Sequence, residues 1–155
     1  MNKEFSVLSE NTIQYITFHD CLCSKLNYTE NTLVFEMEWM EVLSEHPDNP
    51  YSQAHQSGVG KVLLQAPKLI KCELYRTPEE KVEIYSLDEI AFCDLWFYDF
   101  CELKDKDGYS AKIFFVFENV SEYDVGTIDV EYEKSYVMWN ELKDLSWFED
   151  DKRTS

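Results

Sequence analysis

Alternation is the feature that most constrains this chain. In Asn31 to Leu43, NTLVFEMEWMEVL, the apolar residues Leu33, Phe35, Met37 and Trp39 interleave with Glu36 and Glu38. In Gly126 to Tyr136, GTIDVEYEKSY, Ile128, Val130 and Tyr132 interleave with Asp129, Glu131 and Glu133. A period of two turns successive side chains to opposite faces of an extended chain. Each stretch therefore predicts a strand with one apolar face for a core and one acidic face for water.

The same reading extends along the sequence. Cys21 to Tyr28 predicts a strand, and Thr29-Glu30-Asn31 a short polar turn that closes a hairpin with the next strand. Ser44 to Gly58 is the longest polar stretch, holds two of the four prolines, and reads as a long, functional or mobile loop. Strands are expected over Val59 to Ala66 and Lys68 to Arg76, with Pro67 marking a bulge or a sheet edge. A turn at 77–80 leads to a strand over Lys81 to Tyr85. Ser86 to Ile90, SLDEI, has a capping serine and a glutamate three residues on, the signature of one helical turn. Cys93 to Leu103 is apolar on both faces, which predicts a central strand. KDKDG at 104–108 is a hairpin turn into Tyr109 to Asn119. A helical turn within Glu10 to Phe18 and a short helix over Trp139 to Trp147 complete the expected elements. Seven or eight strands with so little helix predict a mainly β fold: an antiparallel two-sheet sandwich or open barrel with one or two short helices.

Composition bounds the rest. The 155 residues, 45% hydrophobic and 15% aromatic, suit one domain over 1–155, with 149–155 as a frayed charged tail. Thirty-one acids against fourteen bases give a net charge of −17. Such a surface repels phosphate backbones and anionic lipid, and attracts a basic protein at a rate that falls with salt. The expected partner is a basic protein, with no direct nucleic-acid binding and no membrane; oligomeric state stays open. The N-terminus has no apolar signal region. Five cysteines, an odd number, then read as reduced core thiols of a cytoplasmic protein.

The densest chemistry lies in TFHDCLC, residues 17–23, which holds His19, Asp20, Cys21 and Cys23. Structural zinc takes cysteines two to four residues apart with a second pair elsewhere, whereas this is C-x-C with isolated thiols beyond it. A nucleophilic Cys21 needs an aligned imidazole and a lowered pKa, and no orienting third group stands out. The structural reading is simpler: Asp20 braces a turn, His19 satisfies a carbonyl at the strand entry, and the thiols face the core. His46 and His55 in the long loop complete a three-histidine set with His19 only if the fold gathers them, and solvated loop histidines are commoner. Asp105-Lys106-Asp107-Gly108 lacks the later glutamate of a calcium loop. Paired carboxylates for glycoside hydrolysis would need a cleft lined by aromatics, which here fall mostly at core positions. No metal, cofactor or catalytic residue is assigned. The acidic faces Glu36, Glu38, Asp129, Glu131 and Glu133 are the candidate partner-binding residues.

Phe18-His19-Asp20-Cys21, followed by a strand, a turn and an alternating strand, resembles the FHD-type opening of small bacterial immunity domains of polymorphic toxin and contact-dependent inhibition systems and their uncharacterised relatives. Val116-Phe117-Glu118-Asn119-Val120 and the ending with Tyr132-Glu133, Trp139 and Trp147-Phe148 resemble the same group. The resemblance implies a cytosolic, non-catalytic protein that binds and neutralises a cognate toxin, the low pI suiting basic nuclease toxins. Only the strand-entry position of His19 and Asp20 carries over. Two other classes stay in view. One is a small metal-dependent or cysteine-based enzyme using His19, His46, His55 or Cys21. The other is a structural domain that oligomerises through a sheet edge near Pro67.

Overall fold

The computed structural model describes residues 5–76, 80–118 and 123–149. Among them are the strands β1 (Val7–Glu10), β2 (Ile16–Thr17), β3 (Leu22–Thr29), β4 (Thr32–Met37), β5 (Glu41–Val42), β6 (His55–Gln56), β7 (Gly60–Gln65), β8 (Lys68–Arg76), β9 (Glu80–Ile84), β10 (Ala91–Asp105), β11 (Gly108–Phe117), β12 (Val125–Tyr132) and β13 (Lys134–Trp139). Ten of these form one antiparallel sheet in the order β1-β13-β7-β4-β3-β10-β11-β12-β8-β9, and β2-β5-β6 form a small second sheet. The fold is mainly β and does not close into a barrel.

Chain connections dictate how the large sheet must bend. β7 and β8 stand six places apart in the strand order, yet only Ala66 and Pro67 join them. In a flat sheet six places are ~29 Å, while three Cα steps reach at most ~11 Å. β12 and β13 are likewise six places apart and joined by Glu133 alone. The sheet therefore doubles back on itself. One half is β1-β13-β7-β4-β3, the other is β10-β11-β12-β8-β9, and the inward faces of both meet in a single core. Pro67 is buried at the corner between the halves, so it marks neither a bulge nor an edge; the open edges are β1 and β9.

Local chemistry explains the elements. The β3–β4 hairpin turns on Glu30 and Asn31, both at positive φ (49° and 57°), the type I′ geometry that matches strand twist. The turn after β9 is one 3-10 turn, Leu87–Glu89, closed by a capping box in which the Ser86 side chain accepts from the Asp88 N–H and Glu89 reaches back to Ser86. A second 3-10 turn, Ile13–Tyr15, lies within the Glu10 to Phe18 stretch. Alternation sorts the faces as read: Leu33, Phe35, Met37, Ile128, Val130 and Tyr132 are all buried.

Several expectations are corrected. Trp139 ends β13, and residues 140–149 form an irregular strap instead of a helix, because the Lys143 and Ser146 N–H groups donate to the Gln56 and Ala54 carbonyls; a single turn bond, Glu149 N–H to the Ser146 carbonyl, follows. Glu149 is tied down: its Oε2 accepts the Ala54 N–H at 2.6 Å, while the rest of the expected tail lies outside the described residues. Cys21, Cys23 and Cys72 are buried, but Cys93 and Cys101 are exposed. The long loop is pinned, since Asn49 donates to the Val42, Leu43 and Gln53 carbonyls and accepts from the Tyr51 N–H.

His46 is a buried residue and not a solvated one. Its Nδ1 accepts the Asp48 N–H at 2.9 Å, so the proton sits on Nε2, which donates to Thr12 Oγ1 at 3.0 Å. Its ring packs edge-on against Trp139. Burial holds its pKa below the ordinary 6.5. The unfolded chain thus binds a proton below pH 6.5 that the native state refuses. Stability is full above that pH and declines as pH falls below it. On β8, hydrogen bonds from Lys81 and then Tyr75 hold the Glu73 carboxyl below its ordinary 4.5. Its contribution is present above 4.5 and is lost as pH falls through the lower, folded value. Urea midpoints are expected to drop in two stages on acidification, the upper stage vanishing in His46→Gln and the lower in Glu73→Gln. A wild-type midpoint unchanged between about pH 7 and about pH 5.5 would contradict the account of His46.

Candidate partner-binding face

The FHDC segment builds one end of this face. The Cys21 N–H donates to the Phe18 carbonyl across a tight turn with Asp20 at φ 64°. The Asp20 N–H then donates to the Phe97 carbonyl at 2.8 Å and the Phe97 N–H to the Cys21 carbonyl at 3.0 Å, which docks the turn on β10. His19 Nδ1 donates to the Tyr98 carbonyl at 2.7 Å. Its Nε2 lies 3.4 Å from Asp20 Oδ2, and both side chains are open to solvent. Phe18 drops into the core and stacks on Phe100.

Cys21 and Cys23 face that core. Desolvation pushes the Cys21 thiol far up and the Cys23 thiol up to about 12. A thiol held protonated at neutral pH is a poor nucleophile, and His19 points its hydrogen bond elsewhere. His55 Nδ1 donates to the Gln53 carbonyl and its ring stacks on Tyr51, while His46 is sealed against Trp139. No group of three or more His, Cys, Asp or Glu side chains among the described residues is arranged to hold a metal ion, so His19, His46 and His55 do not converge.

The predicted acidic residues also do not form one surface. Glu36 points outward from the first half, in register between Lys25 on β3 and Lys61 on β7. Asp129 points outward from the second half, in register between Lys112 and Lys71, and Glu131 lies beside Lys68. Glu133 sits at the corner, and Glu38 lies past the end of β4, exposed, with its N–H on the Leu22 carbonyl. Lysines placed opposite carboxylates thus dilute the field that the bare sequence pattern suggests.

What the sequence reading missed is the outer side of β10 and β11. Leu95 and Phe97 face the core, so Trp96 and Tyr98 face out; Ile113 and Phe115 face the core, so Phe114 and Val116 face out. A bulge at Tyr98-Asp99 sets both opposite Phe114. Tyr98 is 60% exposed and Phe114 39%, their rings 5.4 Å apart. Leu103 and Ile70 continue the face, exposed around a small pocket that also holds Cys101 and Lys112. At the other end Trp96 meets Trp39 edge-on at 5.8 Å.

A strap brings in the last two rings. Lys143 N–H donates to the Gln56 carbonyl, Gln56 N–H to the Asp144 carbonyl, and Ser146 N–H to the Ala54 carbonyl, so residues 143–146 extend the small sheet beside β6. This carries Trp147, 58% exposed, to 6.3 Å from the His19 ring, with Phe148 packed against it. Phe114, Tyr98, His19, Trp147 and Phe148 form an unbroken chain of neighbouring rings on the outside of the protein. Isolated surface apolar residues are ordinary, whereas this contiguous row of rings is what makes the face a candidate interaction surface. Comparison of the chain with protein-family models, curated proteins and solved structures gives no match. No helix of the described residues is long and apolar enough to cross a membrane.

Proposed function

We propose that this chain is a non-catalytic, acidic binding domain of the immunity type, working in the cytoplasm, which neutralises a basic toxin by covering its active surface. One observation carries the reading: a chain with a net charge of −17 leaves a continuous row of aromatic side chains exposed, Phe114 and Tyr98 on the outer face of β11 and β10 with His19 and Trp147 beside them. The division of labour is physical. Long-range charge speeds encounter and makes it salt-dependent. The rings, ordered already by their mutual contacts, supply desolvated area at small entropic cost. The FHD-type opening fits this use, since it is the segment that seats His19 beside Tyr98.

The test is co-expression of the full chain with a secreted toxin candidate encoded beside its gene. The expected result is relief of toxicity and a complex whose association slows as salt rises. The double variant Tyr98→Ala/Phe114→Ala, with unchanged circular dichroism, is expected to weaken that complex by about 100-fold or more. Full-strength protection by the double variant would overturn this choice of face, and no protection by the wild type would overturn the immunity reading.

A further inference from the structure

Resting on that reading, we propose that the anchor this face accepts is an arginine side chain of the basic partner, seated in the ring-lined corner formed by Tyr98, His19 and Trp147 with the Asp20 carboxylate at its rim. Three short segments make the corner: residues 17–22, 96–100 and 144–149. None contains a lysine or an arginine, and Asp20, Asp99 and Asp144 are all exposed in them. Here, in contrast to the lysine-flanked carboxylates of β4 and β12, Asp20 has the His19 imidazole beside it, Nε2 3.4 Å from Oδ2, and the nearest lysine in sequence to these segments, Lys143, lies against Glu141. The rings are in place before any ligand arrives. Tyr98 stands edge-on to His19 at 5.3 Å, and Trp147 is tilted against the imidazole at 6.3 Å. The bond from His19 Nδ1 to the Tyr98 carbonyl fixes the imidazole plane. The Asp20 carboxylate is 68% exposed, so an incoming cation meets it without first displacing a buried partner.

Arginine suits this corner better than lysine. A guanidinium is flat, weakly hydrated and able to lie over an aromatic face while its edge donates two parallel hydrogen bonds to one carboxylate. An ammonium is a compact, strongly hydrated charge that forfeits more water for the same contact.

The experiment titrates the full chain with N-acetyl-arginine methylamide and, separately, its lysine counterpart, following the amide and indole resonances by NMR. The expected result is saturable shifts at the Trp147 indole and the Tyr98 and Asp20 amides, at least about 3-fold tighter for arginine. Asp20→Asn, which keeps a residue tolerant of positive φ, and Trp147→Ala are each expected to weaken binding about 10-fold, with the rest of the spectrum unchanged. Unsaturable shifts spread over the acidic surface, or equal binding of the two probes, would overturn the proposal. A basic partner held equally well by wild type and Trp147→Ala would also overturn it while leaving the immunity reading intact. Arginine-selective binding in a chain that protects against no toxin would instead uphold the corner and remove the immunity reading.

Discussion

Phe97→Ala is expected to destabilise the fold by about 3–5 kcal/mol, measured as a shift of the urea midpoint at constant slope. Phe97 is 1% exposed, and its ring is the hub of an aromatic cluster, in edge contact with Phe18, Phe35 and Phe100 at 6.0, 5.9 and 6.0 Å. Those three come from the FHDC segment, from β4 and from beyond the β10 bulge. Truncation therefore opens a cavity where three separate pieces of chain meet, each held by its own backbone pairing and unable to collapse inward. Phe97→Leu keeps most of the volume and is expected to cost far less, about 1–1.5 kcal/mol. The backbone of Phe97 also receives and donates the bonds that dock the Asp20 turn, and these survive either change. A loss under about 1 kcal/mol for the alanine variant would mean that the site closes up and that Phe97 is not a hub.

The mainly β class was legible because a two-residue period admits few other interpretations. Glu36 and Asp129 sit where that period puts them, outside, with Phe35 and Ile128 inside. The hairpins were legible from Glu30-Asn31 and from KDKDG, and the 3-10 turn after β9 from Ser86 and Glu89. The doubling of the sheet was not. It follows from how few residues join β7 to β8 and β12 to β13, which acquires meaning only once the strand order is known. The run GTIDVEYEKSY reads as one strand for the same reason, although Glu133 divides it between the two halves. Trp139 to Trp147 was misread as helix because its apolar spacing fits a helix, while tertiary pairing of Lys143 and Ser146 with Gln56 and Ala54 prevailed.

The candidate face was hidden by the same logic that revealed the core. Apolar residues on both faces of CDLWFYDFCEL read as a central strand, which β10 is in the strand order, yet on its outer face Tyr98 and Leu103 are left uncovered. A signal was present: one short helix, expected over Trp139 to Trp147, was too little to cover a second face of β10. Trp147 and Phe148 gave no signal of where they would land. Conversely, each acidic stripe looked like an uninterrupted negative face because residues of like charge at i and i+2 share a side. The lysines that answer them, Lys25, Lys61, Lys71 and Lys112, come from other strands and appear only through the register.

Glu41 is the least anticipated residue, and its two substitutions are expected to part company. Its side chain is fully buried in β5, with Oε2 accepting from Trp39 Nε1 at 2.9 Å and from Gln56 Nε2 at 3.3 Å. Oε1 has no partner at all. Glu41→Ala removes the acceptor of two donors and leaves a void beside the Trp39 indole and the Gln56 amide, which predicts a loss of about 2–4 kcal/mol. Glu41→Gln retains an oxygen for the same two donors at unchanged volume and is expected to lie within about 1 kcal/mol of wild type. The consequence reaches the surface, because the indole that Glu41 holds is the one against which Trp96 rests. Tryptophan fluorescence should therefore report a loosened Trp39 in the alanine variant and a native one in the glutamine variant. Equal destabilisation by both would show that a carboxylate, and not merely a hydrogen-bond acceptor, is required at this position.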